Sequence, residues 1–167
     1  YSTTGANSEV NTQPIVARYL QGQIALVHNG NLVNAGDLRT RLATNGSVFQ
    51  TTIDTEVILN LIARHSQNEL EESLMKAMID LRGSYAVVVM NENKLYAMRD
   101  PFGNRPLCIG KLDGGYAVAS ESCALDAVGA KFLRDVLPGE IITIDEEGLH
   151  SLHSFVKGED ALCIFEY

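Results

Sequence analysis

The hydrophobic period of this chain changes from about 3.6 to 2 at Gly83, and that change limits the folds open to it. Over residues 34–81, apolar residues recur three and four apart, the repeat of one helical face. Beyond it they alternate, the repeat of a half-buried strand. Leu38 and Leu42 predict a short helix over residues 34–43, stopped by Asn45-Gly46. Val57 with Leu61, and Ile58 with Ile62, give a second helix over 54–66 its buried face. Leu70, Leu74, Met78 and Leu81 do the same for a third over 69–81. Asn68 and Glu71 are spaced as its capping pair, and Gly83 ends it. Three hairpins follow: 85–90 with 95–99 across Asn91-Glu92-Asn93, 107–112 with 116–120 across Asp113-Gly114-Gly115, and 141–145 with 149–154 across Glu146-Glu147-Gly148. A short helix over 122–128 interrupts them. No βαβ rhythm is present, so the expected class is α+β with antiparallel sheets.

The polar stretches lie outside this pattern. Residues 1–13 are rich in hydroxyls and amides, which fits a flexible end or a hydroxyl loop around a small polar ligand. A strand over 14–19 turns at Gln21-Gly22 into a second over 24–27, which runs into His28-Asn29-Gly30-Asn31. Asn-Gly after an apolar run reads as a hairpin turn. A side-chain amide beside a glycine N–H also reads as an oxyanion hole, two donors aimed at one developing charge. Asp54 is either a helix N-cap or a carboxylate for an ammonium group. Together Ser2-Thr3-Thr4, Asn29-Gly30 and Asp54 suit an amino-acid amide. Residues 99–107, with Arg99, Asp100 and Arg105, could grip an anion or form a rigid loop locked by Arg–Asp pairing. His28 and His65 have no metal-ligand spacing and read as structural or surface histidines.

Net charge narrows the partners. At −8 over 167 residues, the chain is poorly suited to nucleic acid or an anionic membrane. No apolar run reaches membrane-span length, and no signal peptide is evident. Cys108, Cys123 and Cys163 are an odd number without C-x-x-C spacing, which points to a reducing, cytoplasmic setting. The chain begins at Tyr1 without methionine, and residues 161–167 are apolar to the last position. The expectation is a piece of a longer protein.

YSTTG at the start, Gln13-Pro14, LVHNGNLVNAGDLR at 26–39, TIDTE at 52–56, GSYAVVV, RDPFGNRPL and ASES occur in one order. Together they resemble the glutaminase domain of the amidophosphoribosyltransferases, class II glutamine amidotransferases that open purine synthesis. The resemblance runs across essentially the whole chain. It implies the N-terminal-nucleophile hydrolase fold, an αββα sandwich of antiparallel sheets, here N-terminally truncated. Residues 1–160 would be a partial amidotransferase domain and 161–167 the junction to a phosphoribosyltransferase domain.

By that resemblance Asn29 and Gly30 form the oxyanion hole, and Asp54 holds the glutamine α-ammonium. Thr3, helped by the Tyr1-Ser2 backbone, holds the α-carboxylate. Residues 99–107 and Ser120-Glu121 are structural. The family's nucleophile is an N-terminal cysteine whose own α-amine is the base; it is absent here, so the chain alone is expected to hydrolyse no glutamine. The resemblance also implies phosphoribosyl pyrophosphate and Mg2+ at the further domain, and a homo-oligomer, a tetramer at full length. Cys163 would be one ligand of an iron–sulfur cluster, or else a small buried residue. Alternatives are a hexosamine-phosphate synthase type of amidotransferase and a non-catalytic glutamine-binding domain.

Overall fold

The computed structural model describes residues 9–153. After a 3-10 turn at Glu9–Asn11, the elements run β1 (Ile15–Tyr19), β2 (Gly22–Leu32), α1 (Ala35–Thr44), α2 (Thr55–Arg64), α3 (Leu70–Asp80), β3 (Gly83–Met90) and β4 (Leu95–Arg99). Then follow β5 (Cys108–Leu112), β6 (Gly115–Ala119), α4 (Ser122–Ala127), β7 (Lys131–Asp135), β8 (Glu140–Asp145) and β9 (Gly148–His153). The α+β expectation holds. Every strand pair is antiparallel, in a six-stranded sheet of order β1-β2-β3-β4-β8-β9 and a three-stranded sheet of order β6-β5-β7.

The period change separates the layers. Helices α1–α3 lie on one face of the large sheet, where Leu38, Leu42, Val57, Ile58, Leu61, Ile62, Leu74 and Met78 meet Ile24, Leu26, Tyr85 and Val87. Each large aliphatic buried there stabilises the fold by about 1.5–3 kcal/mol. On the other face, Ala86, Ala97 and Ile142 pack against Leu107, Ile109 and Val136 beside the small sheet. Outside that sheet, Leu125 of α4 closes on Cys108 and Ala130. Gly110 of β5 leaves room for this contact, since a Cβ there would stand 2.9 Å from that of Ala130. The four layers are αββα.

All three predicted hairpins form, with Asn91 tightening the first by accepting the N–H groups of Asn93 and Lys94 on its Oδ1. Several expectations need correction. His28-Asn29-Gly30-Asn31 is not a turn: β2 runs unbroken to Leu32, and Asn29 and Gly30 sit opposite Ala86 and Tyr85 of β3. The proposed capping pair does not form. Asn68 donates to the His65 carbonyl, and Glu71 accepts from Lys94 Nζ at 2.9 Å and Tyr96 OH at 3.2 Å. Helix α3 stops where Leu81 becomes extended, so Gly83 opens β3 instead of ending the helix. Finally, β7 went unpredicted, because Phe132 and Leu133 are both exposed and the segment has no alternation to read.

The chain leaves the large sheet after β4 and returns as β8, and residues 99–107 form the pivot between the two. Arg99 and Asp100 do not pair with each other as expected. Arg99 donates to the carbonyls of Arg105, Val136 and Gly103 at 2.7, 2.7 and 2.8 Å. The fully buried Asp100 carboxylate accepts the N–H groups of Phe102, Asn104 and Arg105. Buried charges are held here by backbone dipoles, which satisfies both without exposing either. Arg99 thus ties the departing loop to Val136 on the return, and the Gly139 N–H closes on the Asp100 carbonyl at 3.1 Å.

Candidate functional site

β2 alternates strictly. Ile24, Leu26, His28, Gly30 and Leu32 face the helices and are buried, while Val27, Asn29 and Asn31 face the other way and are exposed. The backbone follows a second parity. Tyr85, the register partner of Gly30, turns its polar groups away from β2: its N–H lies 3.4 Å from Asp100 Oδ2, and its carbonyl accepts the Asp100 N–H at 2.9 Å. In an antiparallel ladder the partner residue then points its own N–H and C=O outward. The N–H and C=O groups of His28 and Gly30 and the N–H of Leu32 therefore lie along the outer edge of β2.

Strand β1 covers that edge only as far as Leu26. Beyond it, side chains take over. Gln13 brackets His28, its Nε2 donating to the His28 carbonyl at 3.0 Å and its Oε1 accepting the His28 N–H. Two residues on from Gly30, Asp54 Oδ2 accepts the Leu32 N–H at 3.0 Å. Gly30 lies between these clamps. Its φ of +147°, and a would-be Cβ only 2.1 Å from the Ser84 carbonyl oxygen, admit no side chain.

Asp54 reaches this edge because the loop before α2 is fastened from both sides. Glu56, 6% exposed, accepts the N–H of Gln50 at 2.8 Å and both the N–H and hydroxyl of Thr51, at 2.8 and 2.7 Å. Arg39, stacked over Phe49, donates to the carbonyls of Thr51 and Ile53 at 3.0 and 2.8 Å. Asp54 precedes the helix but makes no capping hydrogen bond with its side chain, so the N-cap reading is corrected. Its carboxylate is turned toward β2, where Oδ1 lies 3.3 Å from Nδ1 of the buried His28.

Asn29 projects from the opposite face of β2, and its Nδ2 donates to Ser120 Oγ at 3.3 Å, just past β6. Asn29 and Asp54 are thus on different faces of the strand. Residues 29–32 of β2 carry an amide donor on one face and a carboxylate against the other. That set stabilises an oxyanion at one end and a cation at the other.

Tyr1, Ser2, Thr3 and Cys163 lie outside the described residues. Among the described residues no cluster of His, Cys, Asp or Glu could hold a metal ion. Cys108 and Cys123 are the described thiols, and neither is activated. Burial pushes the Cys108 thiol up, and a hydrogen bond to Glu121 pushes the Cys123 thiol up. No described helix is long and apolar enough to cross a membrane.

Sequence reading missed Gln13, Arg39, Glu56 and Ser120 as supports of this edge. Glu56 left a signal: an acid in the first turn of a helix, just after the hydroxyl-rich Gln50-Thr51-Thr52. Gln13 and Ser120 act across 15 and 91 residues, and the motifs that hold them gave no sign of these contacts.

A family model described as a glutamine amidotransferase domain matches residues 2–127. The chain is 46% identical over 168 residues to amidophosphoribosyltransferase 1, chloroplastic, of Arabidopsis thaliana, covering all of this chain and 30% of that protein. It is 42% identical over 168 residues to the amidophosphoribosyltransferase of Bacillus subtilis, covering all of this chain and 35% of that one. The chain spans about a third of the length of the curated relatives it matches. The solved glutamine phosphoribosylpyrophosphate amidotransferase of B. subtilis, complexed with ADP and GMP, superposes with a TM-score of 0.89 at 42% identity, over 95% of this chain and 35% of that one. A glutamine aminotransferase class-II domain protein of Silicibacter pomeroyi shares the fold, with a TM-score of 0.59 at 16% identity over 78% of this chain and 65% of that one.

Proposed function

Since the chain belongs to the glutamine amidotransferase domain family, we propose that it is the glutaminase portion of an amidophosphoribosyltransferase. That enzyme converts glutamine, phosphoribosyl pyrophosphate and water to phosphoribosylamine, glutamate and pyrophosphate. The observation that supports the reading is the β2 edge, where the loop-anchored Asp54 carboxylate lies against His28 and Leu32, on either side of Gly30.

In this reading a thiolate from outside the described residues attacks the glutamine amide. The tetrahedral oxyanion is met by the Asn29 side-chain amide and the Gly30 N–H. Asp54 holds the α-ammonium, and Thr3, with the backbone of Tyr1 and Ser2, holds the α-carboxylate. Collapse of that intermediate breaks the amide C–N bond, the nitrogen leaves with a proton as ammonia, and water then hydrolyses the resulting acyl-enzyme to glutamate. The ammonia passes to a second domain, where it displaces pyrophosphate from phosphoribosyl pyrophosphate.

The raised thiol pKa values of Cys108 and Cys123 support a nucleophile from elsewhere. The same reading carries Mg2+ at the second domain, a cytoplasmic compartment and a tetrameric assembly. Cys163 as an iron–sulfur ligand is supported by the sequence resemblance at 162–167, and no step of the glutaminase chemistry runs through it.

The test is pyrophosphate release by the full-length protein. Release that requires both glutamine and phosphoribosyl pyrophosphate is expected. Glutamine hydrolysis without pyrophosphate release would assign the chain to another amidotransferase, and no glutamine turnover would leave a glutamine-binding domain.

A further inference from the structure

His28 is the buried titratable group at this edge that the glutaminase reading leaves without a task. Its side chain is 1% exposed, on the helix-facing side of β2. The ring leans over Gly30: a Cβ built on that glycine would lie 2.9 Å from His28 Nε2. The bare glycine therefore makes room for the imidazole as well as for the strand.

The two ring nitrogens differ. Nδ1 lies 3.3 Å from Asp54 Oδ1, while Nε2 is buried with no hydrogen-bond partner among the described residues. A ring nitrogen that close to a carboxylate is favourable only when it carries a proton, so Nδ1 is an N–H. The Leu32 N–H meets the other carboxylate oxygen at 3.0 Å. Asp54 thus has the Leu32 N–H on one oxygen and the His28 ring beside the other, both from the strand it serves.

The neighbours of His28 on this face, Ile24, Leu26 and Leu32, are apolar. An aliphatic side chain at position 28 would leave no orphaned nitrogen. A buried imidazole with one unsatisfied atom costs stability relative to that alternative, and a local rule broken in this way points to function.

We propose that His28 is a positioning residue for Asp54. Its Nδ1–H holds the carboxylate oriented along the β2 edge, so that an amino-acid α-ammonium meets it without a change of rotamer. The inference rests on reading Asp54 as the ammonium-holding group.

The experiment measures glutamine KM and kcat in the full-length protein for D54N, H28A, H28N, H28Q and the H28A/D54N double variant. An asparagine amide replaces Nδ1–H of histidine, whereas a glutamine amide sits near Nε2. The expected result is a glutamine KM raised about tenfold or more in H28A and H28Q, with kcat within about threefold of wild type. H28N is expected to restore KM to within about threefold of wild type, and H28A to add nothing in the D54N background. Ammonia-driven pyrophosphate release checks that each variant is folded. If H28A fails that check, the comparison of H28N with H28Q decides. Equal KM for H28N and H28Q, or wild-type KM in H28A beside a raised KM in D54N, overturns the positioning role and leaves the glutaminase reading standing. Wild-type KM in D54N removes the assigned role of Asp54, and this inference with it.

Discussion

A single added methyl at Gly30 would meet the Ser84 carbonyl oxygen at 2.1 Å, on a backbone held at φ +147°. Gly36, near the start of α1, has nothing within 4 Å of the same construction. Gly30→Ala is therefore expected to destabilise the protein by about 3 kcal/mol or more. Gly36→Ala should stabilise it by about 0.5–1 kcal/mol through helix propensity. Urea denaturation of both variants checks this, and similar midpoints would contradict the close packing of β2 on β3. The pair also marks what was legible residue by residue. Asn29, Gly30 and Asp54 stood out as polar points between apolar runs. The sequence could not show that Gly30 is required by a neighbouring strand and a histidine ring instead of by a turn, because both contacts come from the fold. Asp54 looked like a cap for the same reason: the strand it serves is 22 residues away.

Elements were legible where their signals were local. Hairpins carry their turn residues between their strands, and helices α1–α3 carry their own buried faces, so all were read from sequence. Strand β7 has no such signal; it pairs with β5 and is tied to β8 by an ion pair. Its Arg134 meets Glu140 of β8 through two hydrogen bonds of 2.8 Å, and Glu140, 1% exposed, also accepts from Ser151 at 2.5 Å and the Leu137 N–H at 2.7 Å. Burial pushes the Glu140 carboxyl up, but Arg134, Ser151 and the Leu137 N–H outweigh it and hold the group below its usual range. A depressed folded pKa stabilises the protein at pH values above the ordinary carboxylate range, and that stability is lost as pH falls through the folded value. Glu140→Gln should cost on the order of 2 kcal/mol at pH 7, a modest figure because Arg134 keeps access to water. The variant should also lose less stability than wild type on acidification. Melting temperatures from pH 7 to pH 3 report both effects, and parallel acid limbs would contradict the assignment.

At the scale of the molecule, the αββα layering follows from the order of periods along the chain. The pivot at residues 99–107 was legible as a rigid motif, though not as the joint between two sheets, since Arg99 and Asp100 use backbone partners that no sequence pattern displays. The layers place the outer edge of β2 beyond the reach of β1, with the α2 loop on one face and Ser120 on the other. The central claim is that this edge is a glutaminase site serving a separate acceptor domain. The most direct test compares Asn29→Ala with wild type in the full-length protein, with pyrophosphate release driven by glutamine or by ammonia. Loss of one oxyanion donor should lower the glutamine-driven kcat by about 10²–10³ and leave the ammonia-driven rate unchanged. Equal rates for the two proteins with glutamine, or equal losses with both nitrogen donors, would contradict the account.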